Sequence, residues 1–361
     1  MMRLDDREWK PISIASIFTF IRGRENNMAM LEDGNTPLIS ARNVNNGLKG
    51  FVNTPKKIVA GNCITLNNDG DGGAGLAYYQ PADMALDTHV TALVPKSEMN
   101  MFVMLFISEC LSKLHGFFGH GLSISNPRAE KIRIMLPVTD AGVPDYQFME
   151  NYMRELMDAK KKQYRGYIEK RLSELCAIPD DQKVDWKSMI ASHDWKPFYV
   201  VSIFPENERG KRLKKADHVQ GNVPYASSTG DNNGIDGFIE ASEGTRVFND
   251  CISLANSGSV GSAFYEPFEF VASDHVTHLK KDGMSKYQYL FLTCLLKQQS
   301  GNFNFNREIN DARLKKMQIM LPVTDDGQPD YDFMEEFGKK MMSNKYNQYL
   351  AFLAMSDTIK V

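Results

Sequence analysis

Three groups of residues in this chain have the types and spacings that chemistry uses. Gly70-Asp71-Gly72-Gly73-Ala74-Gly75 satisfies the GxGxxG pattern of a dinucleotide-binding loop. That pattern works only when a helix follows, because the helix N-terminus supplies the N–H groups that hold a pyrophosphate. Here Leu76-Ala77-Tyr78-Tyr79 follows and reads as a strand, and the matching stretch Asn256 to Gly261 loses the glycine spacing. A tight hairpin or ligand-facing turn is therefore expected. Asp180, Asp181 and Lys183 are the residue types of a metal-dependent nuclease, but they are chain neighbours in a linker instead of projections from separate strands. His89 and His275 share a His-Val-Thr context, and His89 has no second histidine or cysteine at ligand spacing. Hydrogen-bonded structural histidines are expected, with a base or phosphate contact as the alternative. The chain contains neither a P-loop nor an Asn-Pro-Pro-Tyr methyltransferase motif. No catalysis by the isolated chain is expected.

A second set of residues suits binding. Arg209-Gly210-Lys211-Arg212-Leu213-Lys214-Lys215 is the densest basic run, and Arg22-Gly23-Arg24 occupies the equivalent place upstream. Phosphate or base contacts are one reading of both, a solvated loop the other. Gly119 to Arg128, with His120, Ser123 and Arg128, and Gly301 to Arg307, with Asn304, Asn306 and Arg307, are polar, Gly-rich and dissimilar. Divergent loops at matched places are where different specificities would sit.

The elements that position these residues come in two copies. Ile134 to Glu150 returns as Ile319 to Glu335, a segment that reads as an apolar strand closed by Leu-Pro, a Gly/Pro turn and a helix start. Trp9-Lys10-Pro11 matches Trp195-Lys196-Pro197, and each triplet heads a stretch, ending at Phe18 or Phe204, that reads as an opening strand. Asn45-Asn46-Gly47 matches Asn232-Asn233-Gly234 between apolar runs, a strong hairpin signal. Cys63 to Asn68 matches Cys251 to Asn256, each ahead of a Gly-rich turn and an aromatic strand. Short helices are expected at Phe102 to Leu111 and Tyr287 to Leu296. Two long helices carry apolar stripes of period 3.6, with Tyr152, Leu156 and Tyr164 in the first and Phe337, Met341 and Tyr349 in the second. Asp145 and Asp330 stand just inside the helix starts, where the dipole favours a carboxylate. Since a lone helix with such a stripe needs a partner, the two are expected to pack antiparallel, making the molecule pseudo-two-fold.

The fold class is therefore α+β, with two tandem β-rich domains each followed by a long helix. The boundaries read as 1–145 and 195–330 for the domains, 146–178 and 331–361 for the helices, and 179–194 for the linker. With 361 residues there is material for two substantial cores. Hydrophobic content of 42% and charged content of 24% are those of a soluble globular protein, with no secretory h-region and no membrane-length apolar run. The five cysteines form no CxxC pair, and Cys63 and Cys251 are equivalent positions, so a reduced, cytoplasmic protein is expected. A net charge of −3 weakens a nucleic-acid reading without removing it, because the basic residues are clustered.

With these residues laid out, the chain resembles the specificity (S) subunits of restriction-modification systems, over nearly all of 9–356. The resemblance rests on two domains that each start with Trp-Lys and end in an apolar-Leu-Pro strand before a long helix. The Leu-Pro-Val-Thr-Asp-x-Gly-x-Pro-Asp-Tyr form is most similar to the separate specificity subunits of type IIB enzymes, relatives of type I. The resemblance implies that each half is a target-recognition domain reading one part of a bipartite, double-stranded DNA target. The DNA-binding candidates are then Arg22, Arg24, Asn68, His120, Ser123, Arg128, Arg209, Lys211, Arg212, Lys214, Lys215, Asn256, Asn304, Asn306 and Arg307. The paired helices, through Tyr152, Leu156, Tyr164, Phe337, Met341 and Tyr349, would hold methyltransferase or fused methyltransferase–endonuclease subunits. S-adenosylmethionine and magnesium would belong to those partners, with no cofactor or metal in this chain and no membrane contact. The helices would also act as a ruler, fixing the spacer between half-sites. A standalone nuclease with an unrecognised site and a scaffold module that binds no DNA are the competing readings.

Overall fold

The two sequence copies become two copies of one topology. A computed structural model describes residues 2–26, 30–70, 73–118, 122–175, 185–242, 244–304 and 306–358. Asp71, Gly72, Gly119, His120, Cys176, Asp180, Asp181 and Lys183 lie outside the described residues.

The first copy runs β1 (Glu8–Ser13), α1 (Ile14–Ile17), β2 (Phe18–Arg22), β3 (Asp33–Ile39), β4 (Leu48–Val52), β5 (Ile58–Val59) and β6 (Cys63–Asn67). It continues with β7 (Ala77–Gln80), β8 (Met84–Leu86), β9 (Val90–Pro95), α2 (Met101–Ser112), α3 (Asn126–Ala129), β10 (Arg133–Val138) and α4 (Tyr146–Glu174). The second is preceded by α5 (Trp186–Ala191), inside the stretch read as linker. It runs β11 (Asp194–Tyr199), α6 (Val200–Ile203), β12 (Glu206–Arg209), β13 (Gln220–Ala226), β14 (Ile235–Ile239), β15 (Val247–Phe248) and β16 (Cys251–Ala255). Then come β17 (Ala263–Glu266), β18 (Phe270–Ala272), β19 (Val276–Lys280), α7 (Lys286–Gln298), α8 (Asp311–Leu314), β20 (Gln318–Val323) and α9 (Tyr331–Thr358). Two compact units result, Met1–Tyr164 and Arg165–Val361, so α4 begins in one and ends in the other.

Each copy holds three small sheets. A two-stranded ribbon pairs β1 with β10, or β11 with β20, with Trp9 opposite Pro137 and Trp195 opposite Pro322. The four-stranded orders β2-β9-β6-β7 and β12-β19-β16-β17 match, as do β4-β3-β8-β5 and β14-β13-β18-β15. The Asn-Asn-Gly turns sit between β3 and β4 and between β13 and β14 as read, with Asn45, Asn46 and Gly47 all at positive φ. Gly70 to Gly75 lies between the antiparallel strands β6 and β7, without a following helix.

The stretch from Trp9 to Phe18, read as one opening strand, is not continuous. Ile14–Ile17 turns once as a helix, buries Ile14 and Ile17 on one side, and passes the chain from the ribbon to a four-stranded sheet. Val200 and Ile203 do the same in the second copy. Asp145 and Asp330 also stand one position outside the helices. Each caps its helix, accepting the backbone N–H of Phe148 (2.9 Å) or Phe333 (2.8 Å). Burial opposes ionisation of Asp145, but Arg7 and the Phe148 N–H outweigh it and hold the carboxyl below its usual range. The main apolar core of each copy gathers Ile14, Ile64, Leu93, Met104, Leu136 and Met149 in the first and Val200, Ile252, Leu279, Leu292, Leu321 and Met334 in the second, with smaller clusters around Ile39 and Leu38 or Phe270 and Tyr225 beside it.

Candidate nucleic-acid interface

In each copy four segments meet at one end of the β6–β9 or β16–β19 pair, and backbone hydrogen bonds hold them there. The segment after β2 comes in through Gly23, whose N–H donates to Val90 O (2.9 Å). A Cβ on Gly23 would stand 1.9 Å from Asp87 O, so only glycine permits this approach. Gly210 repeats it, with its N–H 3.0 Å from Val276 O and a Cβ position 2.0 Å from Ala272 O. The turn after β6 is tied by Asn68 N to His89 O (2.9 Å), and its counterpart by Asn256 N to His275 O (2.8 Å). The fourth segment is the divergent loop. Ile124 N donates to Asn68 O (2.7 Å) and Ile309 N to Asn256 O (2.9 Å), so unlike loops are moored to the same carbonyl.

Asn68 and Asn256 are thus buried positioning residues, with 1% and 2% of their surface exposed. Their side-chain carbonyls accept from Thr91 Oγ1 (3.0 Å) and Thr277 Oγ1 (2.9 Å). Arg209 also positions a loop, since its guanidinium donates to Asp311 Oδ1 (2.8 Å) and Ile309 O (3.1 Å). Arg22 donates to Thr88 O (3.0 Å), holding the turn that carries His89. Arg128 donates to Ser123 O within its own loop. Arg307 lies over the Phe303 ring at 6.0 Å, and Asn304 accepts from the Asn306 N–H (3.0 Å). Arg24, Lys211, Arg212 and Lys214 are exposed. Lys215 opens a short 3-10 turn ending at Asp217.

His89 and His275, read from sequence as hydrogen-bonded structural histidines with a base or phosphate contact as the alternative, are hydrogen-bonded and exposed at this end. His89 N–H donates to Asp87 Oδ1 (3.0 Å) and its ring Nδ1 lies 2.6 Å from Asp69 Oδ1, with 57% of the side chain exposed. His275, likewise exposed, places Nδ1 2.5 Å from Ser257 Oγ. The duplicated His-Val-Thr was the available signal. Local sequence does not show that both rings stand where the basic segment, the Gly-rich turn and the divergent loop converge.

The groups this end presents are hydrogen-bonding and charged side chains. Among the described residues no group of three or more His, Cys, Asp or Glu side chains is placed to hold a metal ion. Burial pushes the thiols of Cys63 and Cys251 up to about 12, which leaves them protonated and non-nucleophilic at neutral pH. The apolar residues of the long helices serve their own copies first. Tyr152 meets Phe106 edge-on at 5.8 Å, and Phe337 meets Phe291 at 5.4 Å and Trp186 at 5.3 Å. Leu156 lines an apolar cleft in the first unit, and Tyr164 is exposed on α4. Met341 is half-buried, and Tyr349 meets Phe352 at 5.9 Å. Within the second unit, the last turns of α4 reach α9, where Tyr167 lies edge-on to Tyr346 at 6.4 Å.

A family model described as the type I restriction modification DNA specificity domain matches residues 6–164 and again 192–349. The specificity subunit S.BcgI of a type II restriction enzyme from Heyndrickxia coagulans is 27% identical over 335 residues, spanning 91% of this chain and 93% of that protein. Among solved structures, the type I S subunit from M. genitalium shares 14% identity over 99% of this chain and 96% of that one, with a TM-score of 0.47. The HsdS subunit from Thermoanaerobacter tengcongensis shares 11% over 98% and 92%, with a TM-score of 0.34.

Proposed function

The chain belongs to the type I restriction-modification DNA specificity family, and on that footing we propose that it reads a bipartite DNA target, one part per half. It is the non-catalytic specificity subunit of such a system, with two target-recognition domains, and catalysis belongs to other subunits. The observation that supports the bipartite reading is the doubled mooring of unlike loops. Asn68 and Asn256 hold loops of different sequence at the same place on the same framework. One framework with two readers gives a target of two unlike parts. We further propose that the subunits it assembles with are methyltransferases or fused methyltransferase–endonucleases. S-adenosylmethionine and magnesium are theirs, and the assembly is cytoplasmic. No helix among the described residues is long and apolar enough to cross a membrane.

The gap between the two half-sites should be constant, because each half runs directly into a helix, of 29 residues in α4 and 28 in α9. At 1.5 Å per residue these are about 42–44 Å long, more than one DNA turn of ~34–36 Å. Enrichment of bound duplexes from a randomised pool, using the full chain in its complex, tests this. The expected result is two short unlike motifs at one fixed spacing. A continuous motif, or spacing that varies freely, would overturn the proposal. Removing the charges of Lys211, Arg212 and Lys214 should weaken binding to all duplexes alike and flatten its salt dependence.

A further inference from the structure

We propose that His89 and His275 are specificity-determining residues, one for each half-site, presented to the base edges in different hydrogen-bonding states. The inference deepens the DNA-recognition reading and rests on it.

Each histidine sits in a turn that commits its backbone and leaves its ring exposed. Before each histidine, Asp87 or Ser273 closes the turn through its carbonyl, accepting from Val90 N (3.0 Å) or Val276 N (3.1 Å). The side chain of the same residue takes the histidine's own N–H, at 3.0 Å to Asp87 Oδ1 and 3.3 Å to Ser273 Oγ. The histidine carbonyl is used too, accepting from Asn68 N or Asn256 N. The backbone N–H and carbonyl of each histidine are both spent on holding the turn, and its ring is exposed beside the turn after β6 or β16. A surface histidine with no task would not need its Nδ1 fixed as well, yet both rings have a partner there.

Those partners differ in kind. Asp69 as a carboxylate only accepts, so Nδ1 of His89 carries the hydrogen, and in the neutral ring Nε2 offers a lone pair outward. Ser257 either donates or accepts, so His275 can present Nε2 as N–H or as lone pair. In the major groove an acceptor suits the amino group of cytosine or adenine, whereas a donor suits guanine N7 and O6 or thymine O4. Asp69 therefore commits the first half to one tautomer, and Ser257 leaves the second open.

The test uses the full chain in its complex and duplex pools randomised across both half-sites. His89→Ala should cut base preference about fivefold at one or two positions of one half-site. It should leave the other half-site and binding to an unrelated duplex unchanged, and His275→Ala should do the reverse. Asp69→Ser and Ser257→Asp, which exchange the two chemistries, should alter the preferred base at those same positions. Equal weakening on every sequence would make the histidines phosphate contacts or scaffold and would overturn the inference. If His89→Ala melts early, Asp69→Ser decides, and an unchanged motif in that variant sinks the proposal. A wild-type complex that enriches no motif would instead refute the DNA-recognition reading.

Discussion

The two copies agree strand for strand, and one helix position shows how they diverge around those strands. On α9, Gly338 lets the chain lie against Tyr287 of α7, where an added Cβ would stand 2.9 Å from both Tyr287 Cβ and its carbonyl oxygen. Phe291 then wedges edge-on between Phe333 (6.2 Å) and Phe337 (5.4 Å), and Gln288 donates to Tyr331 O (3.1 Å). On α4 the corresponding residue is Met153, which cannot permit so close an approach. The first unit carries an apolar cleft of about 1250 Å3 there, lined by Trp9, Phe106, Tyr152, Met153 and Leu156 among others. Arg154 spans part of the separation, its guanidinium 4.0 Å over the Phe102 ring. A single small-for-large exchange closes one helix pair and leaves the other open, while the sheets stay alike. The sheet registers carry the fold; the helix contacts are free to diverge.

Three experiments bear on that comparison. The largest effect should come where the copies are identical. Gly23→Ala and Gly210→Ala should each destabilise by about 3 kcal/mol, because a methyl must displace backbone, not a flexible side chain. Thermal unfolding of the full chain should show the two losses to be similar, and a tolerated substitution in either would break the equivalence. Next comes the position where the copies differ. Gly338→Met should cost about 2 kcal/mol by forcing α7 off α9. Met153→Ala should cost only about 1 kcal/mol, because the side chain is half-buried at the edge of an open cleft and its loss forces no helix apart. Denaturant midpoints would expose a reversed order.

The smallest effect concerns a buried pair in equivalent register. Gln80 faces Cys63 across β6–β7, and Glu266 faces Cys251 across β16–β17. Gln80 donates to Asn46 O (2.9 Å) and Thr65 Oγ1 (3.0 Å), whereas Glu266 accepts from Ser253 Oγ (2.9 Å). Burial pushes the Glu266 carboxyl up to about 7, only partly offset by Ser253. An acid whose folded pKa is raised binds its proton more tightly when folded, so stability falls as pH rises from about 4.5 through 7. Glu266→Gln should remove that slope and gain about 1 kcal/mol at pH 8 while changing little at pH 5. An unchanged difference in Tm between pH 5 and pH 8 would show that the carboxylate is not paying a burial cost.

Much of this was legible in the residue order, and the reasons are local. Asn-Asn-Gly announces its own left-handed turn, and Tyr152, Leu156, Phe337 and Met341 repeat with a helical period. The break at Ile14–Ile17 was not, because an apolar run has the same composition whether it continues a strand or turns once to change sheets. Nor was the role of Arg209, whose partner Asp311 is remote in sequence. Asn68 and Asn256 stood among the candidates for DNA contact, and the structure places them inside the protein, acting through their carbonyls. Which carbonyl receives a distant N–H is a property of the folded sheet.

The mooring of Ile124 and Ile309 on a buried carbonyl has a consequence for how such a protein can change. Each variable loop leaves from the end of a helix and returns to a clamped residue, so both its ends are set by the framework. Closing a flexible loop between fixed ends costs only about 0.6 kcal/mol for each doubling of its length. Insertions, deletions and wholesale replacement between those anchors therefore leave the thermodynamics of the sheets nearly untouched. With those loops as the proposed readers, natural selection can rewrite what one half recognises without renegotiating how that half folds.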